Sequence, residues 1–315
     1  MRAMVLDRLC SLEENRAPLK WREVPAPSPG EHEILVRVAA CGVCHTELDE
    51  IEGRTPPARF PIILGHQIVG RVERRGRGAG RFQVGERVGI AWIHSACGTC
   101  RFCRGGNENL CARFQATGRD ADGGYAEYTI VREDFAFPLP EVFSDGEAAP
   151  LLCAGAIGYR SLRLTGMKDG ENLGLFGFGA SAHLVMKMVQ VQYPNSRIFV
   201  FSRTPGERDF AGELGAHWAG SFDEVAPERL HAAIDTTPAW SPIVSALANL
   251  ERGGKLVVNA IRKEVNDQES LLGLDYSRHL WMEKEIQSVA NVTRKDVEEF
   301  LELAARVPIR PEFQE

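Results

Sequence analysis

Four cysteines fall within fifteen consecutive positions: Cys97, Cys100, Cys103 and Cys111. Two-residue gaps let a short turn bring neighbouring sulfurs to one centre, and the longer gap lets the last sulfur close it. Four thiolates fill a tetrahedral zinc shell with no open position, so such a site holds a lobe together and does no chemistry. Glycines and asparagines between the cysteines supply the turns the lobe needs. A second chemical pattern is Gly177-Phe178-Gly179-Ala180-Ser181-Ala182. It follows an apolar strand-like run at 172–176 and opens a helix carrying Leu184, Val185, Met188 and Val189, which is the context a dinucleotide fingerprint requires. Gly177 permits the sharp turn, Gly179 lets backbone approach a pyrophosphate, and Ala182 is small enough for close helix–strand packing. The helix N-terminus, at Ala180 and Ser181, then offers free N–H groups to phosphate.

The next strand bears on which dinucleotide is bound. An adenosine ribose with free hydroxyls usually meets an acidic residue at that strand's end. Here the end reads Val200-Phe201-Ser202-Arg203-Thr204, without a carboxylate. Ser202 and Thr204 can hydrogen-bond a 2′-phosphate and Arg203 can pair with it. The expectation is a preference for NADP(H), with NAD(H) the other possibility; the plainer reading makes Arg203 a solvated loop residue.

These groups must be positioned by two kinds of structure. Up to about Pro150 the chain alternates strand-like runs at 33–38, 68–73, 87–90 and 125–131 with turns rich in proline and glycine, which suits a β-barrel-like domain. After helical pieces at 146–164, strands at 172–176, 198–201, 232–234 and 256–258 alternate with helices. That rhythm implies a parallel sheet covered on both faces. At 315 residues there is room for both domains, and 44% hydrophobic with 25% charged residues is ordinary for a globular protein. The net charge of −6 gives no general attraction to nucleic acid or an anionic membrane. No apolar run nears the roughly 20 residues that span a bilayer. Eight cysteines without an export pattern at the N-terminus point to metal binding in a reducing, cytoplasmic setting.

Three further segments carry metal-ligating types: Cys44 in Cys41-Gly42-Val43-Cys44-His45-Thr46, His66 in Gly65-His66-Gln67, and Cys153 after Pro150. Spacing alone does not unite them. Taken in order with the four-cysteine lobe, the Gly123-Gly124-Tyr125-Ala126-Glu127-Tyr128 run and the glycine fingerprint, they make the sequence resemble the zinc-dependent medium-chain alcohol dehydrogenases over nearly its whole length. The resemblance implies an α/β two-domain fold: a distorted β-barrel (GroES-like) catalytic domain at 1–152, a Rossmann domain at 153–287, and a return to the catalytic domain at 288–315. It implies an active site in the cleft between the domains and two Zn²⁺ per chain. Cys44, His66 and Cys153 would bind the catalytic zinc with a fourth position open, while Cys97, Cys100, Cys103 and Cys111 would bind the structural zinc. An alcohol at the open position loses its proton more readily, and hydride passes to the nicotinamide. Thr46 would take and pass on that proton, His45 would lie near the cofactor pyrophosphate, and Trp92 would line the pocket for a small alcohol or aldehyde. Members of the family are dimers or tetramers, and a homotetramer is expected.

Two positions depart from the family pattern. Gln67 stands where many relatives carry glutamate, which leaves zinc the stronger Lewis acid, and Asp49 stands where a histidine often ends the proton relay. Read as an exposed carboxylate, Asp49 is a weak base at neutral pH, so the relay is expected to end at a cofactor ribose and water, the alternative being that Asp49 is only structural. The chain also stops at Pro311-Glu312-Phe313-Gln314-Glu315, before the glycine-containing final helix and strand of the family, so the return segment is expected to be incomplete. Three other readings stay open: a same-fold reductase of other carbonyls or enones, a truncated inactive member, and a zinc ribbon that binds nucleic acid or protein. The last would need a basic face and has no use for the fingerprint helix.

Overall fold

The computed structural model describes residues 1–307 and 309–314; Pro308 and Glu315, both inside the 288–315 return segment, lie outside the described residues. The chain forms two compact units, Met1–Ala156 with Val292–Glu315, and Ile157–Asn291. The first boundary falls a few residues later than the sequence suggests, because no loop marks it. Helix Asp145–Pro150, the π-helical turn Leu151–Gly155 and helix Ala156–Thr165 run on without a break. Cys153 therefore belongs to the first unit. The return begins at Val292, after the strand Glu285–Ser288 has joined the second unit's sheet.

In the first unit a five-stranded antiparallel sheet runs in the order Ala136–Pro138, Arg87–Ile90, Gln67–Arg75, Glu33–Gly42, Tyr128–Arg132. Register shifts at Leu35/Val36 and Val38/Ala40 bend the long strand, as extra residues in an antiparallel pair do. Ile34, Val36, Ile68, Val69, Val88, Ile90 and Val131 are buried, and the burial of these β-branched residues favours the pairing. The expected strand at 125–131 starts only at Tyr128. Its first residues instead bond the strand end near His66: the N–H groups of Gly123, Gly124 and Tyr125 donate to the carbonyls of Ile63, Gly65 and Leu64 at 2.7, 2.9 and 3.0 Å. Glycine permits that approach, since a Cβ at Gly123 would lie 2.1 Å from the Gly65 carbonyl oxygen.

The return segment rejoins this unit as helix Arg294–Arg306. Thr293 caps it: its hydroxyl accepts from the Asp296 N–H, while the Asp296 carboxylate accepts from the Thr293 N–H. Val297, Phe300, Leu301 and Ala304 form its buried face. Phe300 packs so closely on the Cys153 turn that a Cβ at Gly155 would sit 2.2 Å from its ring.

The second unit is a six-stranded parallel sheet in the order Trp218–Gly220, Ile198–Phe201, Leu173–Phe176, Leu230–Asp235, Leu250–Val258, Glu285–Ser288. Numbered along the chain this is 3-2-1-4-5-6, the doubly wound order whose ligand crevice lies where the order reverses. Every residue of Leu173–Phe176 and Ile198–Phe201 is buried, as strands covered on both faces must be. Phe176 and Phe201, neighbours in register, stack at 4.2 Å. At the end of the fourth strand the fully buried Asp235 meets Lys263, whose ammonium also donates to the carbonyls of Thr237 (2.9 Å) and Ala239 (2.8 Å). The lysine thereby pins the loop after the fifth strand. Lys263→Met should cost about 3–5 kcal/mol in urea unfolding, because it leaves a buried carboxylate unpaired. The double variant Asp235→Asn/Lys263→Met should recover part of that loss.

Candidate functional site

Three segments of the first unit converge. Cys44 is the N-cap of helix His45–Ile51, with its sulfur accepting from the Thr46 N–H at 3.3 Å. His66 lies at the tight turn into strand Gln67–Arg75, where Gly65 has φ +96°; a Cβ there would strike the Tyr125 ring and the Cys41 sulfur. Cys153 hangs from the π-helical turn. His66 Nε2 is 3.7 Å from Cys44 Sγ and 3.1 Å from Cys153 Sγ, and all three ligand atoms lie within 4.8 Å of one another. Zinc bonds of ordinary length at tetrahedral angles put nitrogen and sulfur about 3.5 Å apart. Two sulfurs and an imidazole nitrogen at these spacings fit a zinc ion with one position left open.

The electrostatics fit the same cation. Burial opposes charge on the His66 imidazole, yet Glu47, Cys153 and Cys44 outweigh it and raise its pKa well above the usual value. Hydrogen bonding with Cys153 pulls the Cys44 thiol well below its usual range against the cost of burial. The same interaction, aided by burial, holds Cys153 well above. A pocket that collects negative charge and shares a proton between two sulfurs is one that a divalent ion completes.

Glu47 is the residue the sequence reading missed. It is buried, and its Oε1 sits 2.5 Å from His66 Nδ1, on the far side of the ring from the sulfurs. Its other oxygen accepts from the Cys44 N–H at 2.9 Å, so one carboxylate orients two metal ligands. The signal was there: Cys44-x-x-Glu47 is a capping box with cysteine in the place of serine or threonine. Carboxylates in this position fix the tautomer and basicity of a ligating imidazole. A second carboxyl, Glu50, is fully buried on the same helix, and burial raises its pKa to about 8 against the pull of His66. Glu47→Gln keeps the cap and removes the charge. It should weaken zinc binding at Cys44, His66 and Cys153 about 10- to 100-fold in competition with a chelator; an unchanged affinity would remove Glu47 from the site.

The neighbouring expectations fare differently. His45 is exposed and Thr46 half-buried, both in the first turn after Cys44. Asp49 is not the exposed carboxylate expected: it is buried, and its Oδ1 accepts from Arg54 Nε at 2.5 Å. The chain folds back after the short helix, with the Arg54 and Thr55 N–H groups also on the Asp49 carbonyl, which sequence spacing does not reveal. Gln67 is buried against Gly42. Trp92 is buried too, with Phe114 5.2 Å from its ring and the Arg119 guanidinium 5.1 Å from it.

The four-cysteine lobe also closes on one point. Cys103 Sγ is 3.8 Å from Cys97 Sγ and 3.5 Å from Cys100 Sγ, against about 3.8 Å for the edge of a zinc–thiolate tetrahedron. Backbone N–H groups aim at the sulfurs: Thr99 and Cys100 at Cys97, and Arg113 at Cys111. Thr99 and Cys100 bring the Cys97 thiol down to about 5. Buried Glu108 ties the lobe to the return helix by accepting from Arg294 N and Nε at 2.9 and 3.1 Å.

In the second unit the fingerprint is placed as expected. Gly177 has φ +83°, and a Cβ there would press on Thr236 and Thr237. Gly179, the N-cap of helix Ala180–Gln192, faces open space, where a bound pyrophosphate needs room. Ala182 is fully buried, and Ser181 accepts from Asn259 at 3.3 Å. Ser202 is buried and Arg203 exposed at the end of the second strand. The open helix start and the glycine turn fit a dinucleotide.

Comparison with known proteins agrees. The family described as "Alcohol dehydrogenase GroES-like domain" matches residues 30–141. The chain is 43% identical over 295 residues to "Probable alcohol dehydrogenase AdhA" of Mycobacterium tuberculosis, covering 92% of this chain and 83% of that protein. It is 34% identical over 308 residues to an alcohol dehydrogenase of Geobacillus stearothermophilus, covering 95% and 89%. Among solved structures, a thermostable alcohol dehydrogenase from Pyrobaculum aerophilum superposes with a TM-score of 0.86 at 23% identity, covering 100% of this chain and 91% of the other. The fold, then, is that of the two-domain α/β dehydrogenases with a GroES-like and a Rossmann domain. The chain belongs to the zinc-type medium-chain alcohol dehydrogenase family.

Proposed function

We propose that the chain interconverts small alcohols and aldehydes with two zinc ions and NADP(H) in preference to NAD(H). The observation that carries this reading is the three-ligand cluster of Cys44, His66 and Cys153 with Glu47 behind the imidazole. Zinc bound there supplies Lewis acidity toward an oxygen at the open position, and the nicotinamide supplies or takes up hydride. The chain's own residues do the rest. Glu47 holds the His66 ring in one tautomer, so that Nε2 keeps its lone pair for the metal. Thr46, beside Cys44, takes the alcohol proton in oxidation and returns it in reduction; a hydroxyl suits this because it donates and accepts together. With Asp49 tied to Arg54, its carboxylate is engaged in the turn after the helix and is not assigned the end of the relay. Cys97, Cys100, Cys103 and Cys111 hold the second zinc, whose full shell keeps it out of the reaction.

Support for NADP(H) comes from Arg203, exposed and without an ion pair among the described residues. Solved relatives of the same fold are described both in complex with NADP(H), from Helicobacter pylori (TM-score 0.85 at 20% identity over 99% of this chain and 90% of that one), and in complex with NAD, from Geotrichum candidum (TM-score 0.82 at 22% identity), so the assignment rests on the strand end and not on the fold. A zinc-free reductase of the same fold has no need of the Cys44, His66 and Cys153 set.

Metal analysis should give two zinc ions per chain. Kinetics on a panel of aldehydes should give a kcat/KM for NADPH at least tenfold above that for NADH; a tenfold preference for NADH would reverse the cofactor assignment. Thr46→Val should lower kcat about 100-fold with zinc content unchanged, and Thr46→Ser should restore most of it. If Val serves as well as Thr, the proton takes another route.

A further inference from the structure

The absence of a carboxylate at 200–204 is a property of the sequence that the fold partly undoes. Phe201 pairs with Phe176, and the Gly177 N–H donates to the Phe201 carbonyl at 2.8 Å, so Ser202 lies directly beside the fingerprint turn. This is where an adenosine ribose is read in a doubly wound sheet. Ser202 is 2% exposed, and its hydroxyl donates to the carboxylate of Glu207 while accepting from the Thr204 N–H at 3.2 Å. Glu207 reaches back from the first turn of helix Pro205–Glu213 and forms no ion pair among the described residues. The adjacent Arg208 makes no ion pair with it: its guanidinium donates to the carbonyls of Ser202 (2.7 Å) and Arg203 (3.2 Å), where it fixes the loop and keeps its charge.

We propose that Glu207, held on the Ser202 hydroxyl, is a specificity-determining residue that restrains the preference for a 2′-phosphorylated adenosine. The inference rests on dinucleotide binding at the fingerprint, as read under Proposed function. Two opposed groups then meet at one ribose position. The Arg203 guanidinium attracts a 2′-phosphate, while the Glu207 carboxylate repels it and accepts hydrogen bonds from unphosphorylated ribose hydroxyls. The balance between them, not Arg203 alone, sets the ratio of affinities, and removing the carboxylate charge tilts it toward the phosphorylated cofactor. Glu207→Gln is the informative change, since the amide oxygen still accepts from Ser202.

The test is the dissociation constants of NADPH and NADH for the wild type, Glu207→Gln and Arg203→Gln, read by cofactor fluorescence. Adenosine 2′,5′-bisphosphate and 5′-AMP serve as probes that never reach the zinc. Glu207→Gln should tighten NADPH and the bisphosphate about fivefold or more at low salt, and weaken NADH and 5′-AMP about twofold or more. Arg203→Gln should move the ratio the opposite way. A ratio unchanged in Glu207→Gln, or equal weakening of all four ligands, would overturn the inference and make Glu207 a structural cap. A wild type that binds neither dinucleotide would overturn the reading it rests on as well.

Discussion

Everything in the first unit is subordinate to keeping two sulfurs and one imidazole nitrogen a few ångströms apart. His66 is buried and the two cysteines half-buried, and the three groups compete for protons until a cation balances them. Each is therefore held by something other than its attraction to the rest. Cys44 is fixed by the helix it caps, His66 by the glycine turn against Tyr125, and Cys153 by the π-helical turn against which Phe300 packs. Glu47 joins two of these supports through one carboxylate. Such preorganisation lets a site present an open coordination position without the ligands drifting to close it.

The second unit solves a different problem with backbone. Its fingerprint needs no charged side chain, because the helix start at Gly179 offers N–H groups and a positive dipole end. Side-chain charge enters at the rim, where Arg203 is exposed and Glu207 accepts from the Ser202 hydroxyl. The loop beyond the fifth strand is fastened by Lys263, a half-buried cation with three oxygen partners. Catalytic demand thus falls on placed side chains in one unit and on placed peptide groups in the other.

Much of this was legible along the chain, because the signals are local. The four cysteines lie in one stretch, the glycine turn announces itself between strand and helix, and the alternation of strands and helices dictates a parallel sheet. The His66 pairing with distant cysteines was legible only through resemblance, since spacing carries no information across 87 residues. What stayed hidden was return contact. Arg54 folding onto Asp49, Glu207 onto Ser202, and Phe300 onto Gly155 all depend on where the backbone comes back after a turn. Glu47 was the exception: its capping-box spacing was readable but was masked by the unusual cysteine cap. The domain boundary was hidden for a different reason, an unbroken helical run across it.

The ring of Phe300 on Gly155 and the grip of Arg294 on Glu108 have a consequence in time. Both partners on the earlier side leave the ribosome long before Val292, with the whole of Ile157–Asn291 synthesised in between. At ordinary rates of translation that interval is roughly 10 s. For its duration the nascent first unit carries an uncovered apolar face and a cysteine-rich lobe without its clamp. Closure of the lobe and burial of the Cys153 turn are therefore separate events, and the second waits on the synthesis of Arg294–Arg306.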